Sequence, residues 1–400
     1  MSVDLVYFGS VDWGYTWQRP QQLATRLARA GRLLYVNPLG LRPPRWRDVA
    51  RLVTRVRAGL GRPAGPAPSP GVTVRSLWGY LPFPDSPAAS RLNGARLAQM
   101  IHRWRPAPAG DDLVIWAGMP SPAILPLVEA LPGARLVYDC LDDFAAFHPD
   151  GARIAETEAR LATRADVVFA SAEVLEERMR RLNARTVRLP NGADGDHFAP
   201  GRAAALPVPS DVAHIPRPVL GYVGEMARWF DAELVQALAR HDPSWQIVLI
   251  GPVHGDGIAP LRELPNVHYL GPRPYSELPA YLHRFDVCLL PFRVDRLTAA
   301  VDPVKLYEYL AAGKPVVSTP LPEAGRRGAV VTVAERAAFP AAVATALRQA
   351  ADPASVARRV AVARENSWDR RVADALRALG VEPPAGAARD VAGARVIGAG

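Results

Sequence analysis

Short apolar, β-branched runs alternate along the chain with longer stretches whose apolar residues recur at helical spacing. The short runs have strand length and the periodic stretches read as amphipathic helices. Runs at 5–8, 33–36, 113–117, 136–139, 167–170 and 186–189 predict strands in the first half. After a pause, runs at 219–223, 246–250, 267–270, 287–290, 316–318 and 330–333 predict a second set. Helices are predicted at 21–30, 154–164, 231–240, 304–312 and 339–351. Strand–helix alternation requires crossover connections, so each set predicts a parallel sheet covered by helices. The expected fold class is α/β, with two Rossmann-like doubly wound domains. Ligands of such sheets sit beyond the carboxyl ends of the strands, so two domains facing a cleft would share one site.

The pause at 199–217 is rich in Pro and Ala and shows little periodicity. It predicts a linker between domains at 1–198 and 218–365. Residues 62–70 (RPAGPAPSP) read as a loop. The tail 382–400 has few large apolar residues and is expected to be disordered.

Composition changes this picture little: 49% of residues are hydrophobic and 22% charged, as in ordinary globular proteins. There is no apolar run of the roughly eighteen residues that suggest a membrane span. The N-terminal MSVDLVYFGS lacks the pattern of a secretory leader, and a cytoplasmic location is expected. Cys140 and Cys288 lie far apart in no metal-type spacing, so both are expected to be reduced core residues, with no metal site. The glycines after the first strand, Gly9 and Gly14, do not form GxGxxG, which argues against a nicotinamide enzyme.

The net charge of +9 adds attraction to polyanions. Part of it is concentrated at 45–62 (RWRDVARLVTRVRAGLGR), where Trp46, Val49, Leu52, Val53, Val56 and Leu60 recur at helical spacing among arginines. Such a basic amphipathic helix suits peripheral contact with the inner face of a membrane, or packing on its own sheet. No aromatic-interleaved platform or recognition helix accompanies the charge, so nucleic acid is not an expected partner.

The most informative stretch is 286–319, DVCLLPFRVDRLTAAVDPVKLYEYLAAGKPVVST, which reads strand, loop, helix, turn, strand. Pro303 suits the first turn of the helix and Gly313 its C-terminal cap. Asp302 stands where it either caps that helix or contacts a sugar. Lys305 and Glu308 share one helix face. A carboxylate there can accept two hydrogen bonds from a ribose diol, and the ammonium can meet a phosphate as a point charge. Backbone N–H groups around Asp302, Pro303 and Val304 would add the donors of a helix N-terminus.

This stretch resembles the nucleotide-sugar site of the retaining GT-B glycosyltransferases, specifically the large family 4. EYLAAGKPVV, from Glu308 to Val317, matches the second half of that family's "EAMA.G.PVV" hallmark. The family's first Glu, eight residues earlier, falls at Ala300, leaving Asp302 as the nearest carboxylate. PNGAD at 190–194 with Phe198, GYVGE at 221–225, WQIVLIGP at 245–252 and NVHYLG at 266–271 match further family segments. RPQQLATRLA and LLYVNP within 17–38, and YDCLDD at 138–143, are similar to a subgroup of cell-surface polysaccharide transferases. The resemblance covers about residues 3–380.

The resemblance implies a GT-B fold, an acceptor-side first domain, and a helix at 366–381 that crosses back onto it. It implies donor binding by Glu308, Lys305, Gly224, Arg228, Pro303 and Val304. Asp142, Asp143 and Asp302 are the candidate catalytic carboxylates, Asp142 and Asp143 because they follow a strand at its carboxyl end. Asp12, Trp13, Gly14, Arg19 and His148 are candidates on the acceptor side. Each also has a plain structural reading: the carboxylates at 139–143 as a solvated turn plus a helix cap, Trp13 as a packed residue of a turn, Arg228 as a surface arginine. The expected activity is a retaining, metal-independent hexosyl transfer without a cofactor. The donor would be UDP- or GDP-linked and the acceptor a glycan or lipid-linked glycan of cell-surface polysaccharide. The alternatives are a non-catalytic sugar-nucleotide-binding protein, motivated by Ala300, and a nucleotide-sugar epimerase.

Overall fold

A computed structural model describes residues 3–40, 69–77, 79–83, 85–106, 112–328 and 331–384. The basic stretch 45–62 and most of the tail, 385–400, lie outside the described residues. The chain divides into two units: Met1–Pro190 with Arg371–Gly400, and Asn191–Arg370.

In the first unit the described strands are β1 (Asp4–Phe8), β2 (Leu33–Val36), β3 (Val72–Arg75), β4 (Leu113–Ala117), β5 (Arg135–Cys140), β6 (Val167–Ala170) and β7 (Thr186–Arg188). They form one sheet in the order β3-β2-β1-β4-β5-β6-β7, and every pairing is parallel. The central strands are buried along their length, as expected of a sheet covered on both faces. Aromatic rings cross the sheet: Tyr7 stacks on Tyr35 and on Trp116, both at 5.7 Å, and Trp116 stacks on Phe169 at 5.1 Å. Strand β3 is absent from the pattern-based expectation. It is an edge strand of four residues in which only Val72 and Val74 are buried, too short an alternation to stand out after a Pro-rich loop.

The second unit contains β8 (Val219–Val223), β9 (Gln246–Ile250), β10 (Val267–Gly271), β11 (Val287–Leu290), β12 (Val316–Ser318) and β13 (Val331–Val333). Their order is β10-β9-β8-β11-β12-β13, again parallel throughout. The two halves of each sheet run outward in opposite directions from a central pair, β1/β4 in one and β8/β11 in the other. The edges of these pairs are the switch points where such sheets bind ligands.

Residues 199–217 are not a linker. They carry the short helices Pro200–Ala204 and Ser210–Ala213, and Ala203, Val212 and Ile215 are buried. Val212 and Ile215 belong to the core of the second unit, which begins at Asn191. Helices of one turn cannot display a period, so prolines that start them read as loop residues. The helix Trp368–Ala378 passes from the second unit to the first at Arg371, and Trp368 and Leu376 are both fully buried.

Candidate active site

The helix Val304–Ala311 follows Pro303 and ends as its sequence requires. Gly313 adopts φ +70°, and its N–H bonds to the Leu310 carbonyl while that of Lys314 bonds to Tyr309. This paired closure needs a left-handed residue at the position of Gly313, which glycine adopts without strain. The buried side of the helix includes Leu306, Tyr307, Tyr309 and Leu310. Glu308 is also buried, at 1% exposure, which is unusual for a carboxylate. The ammonium of Lys305 lies 2.7 Å from Glu308 Oε2. Glu308 Oε1 is buried and has no hydrogen-bond partner. Burial pushes the Glu308 carboxyl above the usual carboxylate range, and Lys305 opposes that shift.

Asp302 does not cap the helix, whose N-terminal cap position is Pro303. It is 4% exposed and turned into the second unit. Its Oδ2 accepts the Asn191 N–H at 2.6 Å, and the Tyr307 hydroxyl lies 2.8 Å from Oδ1 and 3.1 Å from Oδ2. The Asn191 side-chain amide also donates to the Asp302 carbonyl at 2.6 Å. The carboxylate therefore ties the start of the second unit to the start of the helix. Burial raises its pKa to about 6, against the hydrogen bonds from Asn191 and Tyr307. Ala300, at the position of the family's first Glu, is buried in a short 3-10 turn and offers only a methyl group. Pro303 has no N–H, and its carbonyl accepts from Leu306, so the proline supplies no donor to a ligand.

The loop after β8 also differs from its expected use. The Gly224 N–H bonds to the Ile250 carbonyl at 2.9 Å and so is not offered to a phosphate. The reason for glycine here is steric: a Cβ on Gly224 would stand 2.7 Å from the Tyr222 hydroxyl. Its neighbour Gly251 has φ +136°, and a Cβ there would fall 2.0 Å from the Gly224 carbonyl oxygen. Arg228 is exposed on the segment that follows.

In the first unit, Arg19 is buried rather than aimed at a ligand, at 3% exposure. It forms a two-pronged pair with Asp139, Nε to Oδ2 at 3.1 Å and Nη2 to Oδ1 at 2.8 Å. Its third nitrogen donates to the Leu189 and Pro190 carbonyls at 3.0 and 3.3 Å. Trp13 is core, edge-on to Trp17 and Tyr35, with its backbone N–H on Asn37. The Asp12 carbonyl closes a turn with Tyr15, and Gly14 is exposed. Asp143 caps the helix Phe144–Phe147 and pairs with Arg178 at 3.1 Å, which also holds Glu158 at 3.0 Å. Asp142 is half-buried beside it. His148 Nδ1 accepts the Asp150 N–H at 3.1 Å. Of the first-unit candidates, Arg19, Trp13 and Asp143 are thus held by their own fold.

Residues 217–349 match the family model described as Glycosyl transferases group 1. That match lies within the second unit, Asn191–Arg370. A curated relative is the Bacillus subtilis (strain 168) protein named "Putative teichuronic acid biosynthesis glycosyltransferase TuaH", 30% identical over 251 residues. That match takes in 58% of this chain and spans 62% of the relative's length. The whole chain is similar in fold to Anabaena HepE solved with UDP and glucose, with a TM-score of 0.62 at 14% identity over 94% of this chain and 99% of that one. It is likewise similar to Escherichia coli trehalose-6-phosphate bound with UDP-2-fluoro glucose, as that structure is titled (TM-score 0.64, 14% identity, 94% of this chain and 98% of that one). Sucrose-phosphate synthase from Thermosynechococcus elongatus aligns with a TM-score of 0.64 at 17% identity, over 94% and 98% of the two chains. The chain has the GT-B fold.

Several residues that build the second unit carry no signal in the local sequence pattern. The Tyr309 hydroxyl accepts the Val223 N–H at 2.7 Å and reaches the Val223 carbonyl at 3.3 Å, fixing the helix against the end of β8. The Lys314 ammonium binds the His283 and Phe285 carbonyls at 3.0 and 2.8 Å, at the end of the helix Leu278–Arg284. His197 is close enough to Glu308 to lower its pKa, and stacks on Tyr275 at 4.4 Å. No local period tells that the Tyr309 hydroxyl has a backbone partner far away in sequence.

Proposed function

We propose that the protein is a glycosyltransferase that moves a sugar from a UDP-sugar, held by the second unit, to a glycan or lipid-linked acceptor in cell-surface polysaccharide synthesis. The observation that carries this reading is Glu308: a buried carboxylate with one oxygen on Lys305 and the other without a partner. Buried polar atoms are nearly always satisfied, so an orphaned oxygen fits a hydrogen bond supplied by a bound molecule. A ribose hydroxyl is a suitable donor. Lys305 has three donors, so it can keep Glu308 and still reach a phosphate oxygen. UDP is favoured over GDP because the fold neighbours HepE and the E. coli protein were solved with UDP or a UDP-sugar derivative.

In the transfer, the bond from the anomeric carbon to the diphosphate oxygen breaks with its electron pair leaving on the diphosphate, one to the acceptor hydroxyl oxygen forms, and the hydroxyl proton passes to the departing diphosphate. The charge left on the diphosphate would be met by Lys305, by Arg228 and by the N–H groups that open the helix. Transfer by this route uses neither a metal nor a cofactor, and the family resemblance favours retention of configuration. The teichuronic acid name of the B. subtilis relative supports a polysaccharide acceptor. Among the described residues no helix is long and apolar enough to cross a membrane. The basic stretch 45–62 would supply peripheral contact with a lipid-linked acceptor's membrane.

A second reading, nucleotide-sugar binding without transfer, is favoured by Ala300 and by the inward-turned Asp302. Calorimetry with UDP, UDP-glucose, GDP and GDP-mannose, with and without magnesium, tests the site. UDP compounds should bind equally well in EDTA, and Glu308→Ala should weaken them roughly 10- to 100-fold through loss of hydrogen bonds to a charged group. Unchanged affinity in that variant sinks the donor site. Binding with no turnover on any glycan or lipid-linked acceptor favours the second reading.

A further inference from the structure

A cavity of about 630 Å³ lies in the first unit between the edge strand β3 and the helix Pro87–Trp104. That is the size of a small-molecule site, roughly 300–1,000 Å³. Three guanidinium groups line it: Arg75 from the end of β3, and Arg96 and Arg103 from the helix. Arg96 and Arg103 are two turns apart and share a face of that helix. Leu77, Met100 and Trp104 add apolar wall.

Among the described residues, no carboxylate lines this space. The sole acidic residue between positions 69 and 104 is Asp85, which pairs with Arg153 at 2.8 Å. Arg75 and Arg96 donate to the carbonyls of Val74 and Gly79, which leave their charge uncompensated. The contrast is Arg32, which lies over the Trp104 ring at 5.3 Å but has Asp4 at 2.6 Å. Like charges gathered without a counter-charge repel, and an anion relieves that cost. Guanidinium forks match the oxygens of a phosphate better than a point charge does.

We propose that this cavity binds a phosphate ester, with Arg75, Arg96 and Arg103 on the phosphate and Leu77, Met100 and Trp104 against its organic part. The site shares no residue with the second unit, so it stands or falls independently of the donor reading. The phosphate is that of a free organophosphate or of a lipid headgroup, and the two are separable. Calorimetry on the full chain would use hexyl phosphate and inorganic phosphate, and sedimentation would use phosphatidylcholine vesicles with and without phosphatidylglycerol. Hexyl phosphate should bind saturably and at least about tenfold more tightly than inorganic phosphate, because only the ester buries apolar surface. Arg103→Gln, and separately Arg75→Gln, should each weaken it about tenfold by removing one charge-assisted contact, while UDP affinity and melting temperature stay unchanged. Vesicle binding that needs phosphatidylglycerol and both arginines assigns the phosphate to a lipid; hexyl phosphate binding without vesicle binding assigns it to a free ester. Absence of saturable binding to every probe overturns the site. So does binding that neither arginine variant weakens.

Discussion

Asp302 shows how a residue in a functional stretch can be structural. It accepts from Asn191 and Tyr307, and burial holds its pKa at about 6 against an ordinary 3.8. Between those values the folded protein keeps a proton that the unfolded chain releases. Stability from this group is therefore greatest below the ordinary pKa and is lost as pH rises through about 6. The gap corresponds to an upper bound of about 3 kcal/mol. Asp302→Asn keeps a hydrogen-bonding group of the same shape and removes the titration. Melting temperatures of both proteins from pH 4 to pH 7 should show the wild type losing ground to the variant across that window. A difference that stays flat with pH would show that Asp302 does not titrate there. The residue's partner explains why its role was hidden: Asn191 lies 111 positions away. The Arg19–Asp139 pair, 120 positions apart, was hidden for the same reason. Lys305 and Glu308 were legible because a helical turn brings them together whatever the rest of the fold does.

At the scale of elements, legibility follows length and burial. Strands β2 and β4 are continuous apolar runs and β9 is one after Gln246, and their ends agree with the pattern at 33–36, 113–117 and 246–250. Strand β3 and the one-turn helices between 195 and 213 were missed because they are too short to show a period. The position of the helix Val304–Ala311 depends on a contact that no period reveals, the Tyr309 hydroxyl on Val223. Tyr309→Phe keeps the ring and leaves a buried N–H without its partner. The expected cost is about 1–3 kcal/mol of stability. It should be accompanied by weaker UDP binding, because the helix that carries Lys305 and Glu308 loses its tie to β8. Urea unfolding and calorimetry on the same variant check both effects. Unchanged stability would mean that water replaces the hydroxyl and that packing alone fixes the helix.

At the scale of the whole molecule, sequence order and structural membership part company at the C-terminus. The first unit consists of Met1–Pro190 together with Arg371–Gly400, so it is completed by the far end of the chain. Val372, Ala373, Ala375, Leu376 and Leu379 are all buried, and Arg135 donates to the Leu379 carbonyl at 2.6 Å. These contacts are too distant in sequence for local pattern to supply, although the amphipathic spacing of the helix Trp368–Ala378 announces that one face must be buried. Leu376→Ala should therefore destabilise the first unit by about 2–5 kcal/mol, the range for a buried leucine. Donor affinity, a property of the second unit, should change little. Unfolding followed by Trp116 fluorescence, with the remaining tryptophans replaced, reports on the first unit; UDP calorimetry reports on the second. A chain ending at Arg370 should lose the first unit's cooperative transition altogether while residues 191–370 keep binding UDP. If that truncated chain instead unfolds at the wild-type urea concentration, the C-terminal segment is dispensable to the first unit and the division at Arg371 is wrong.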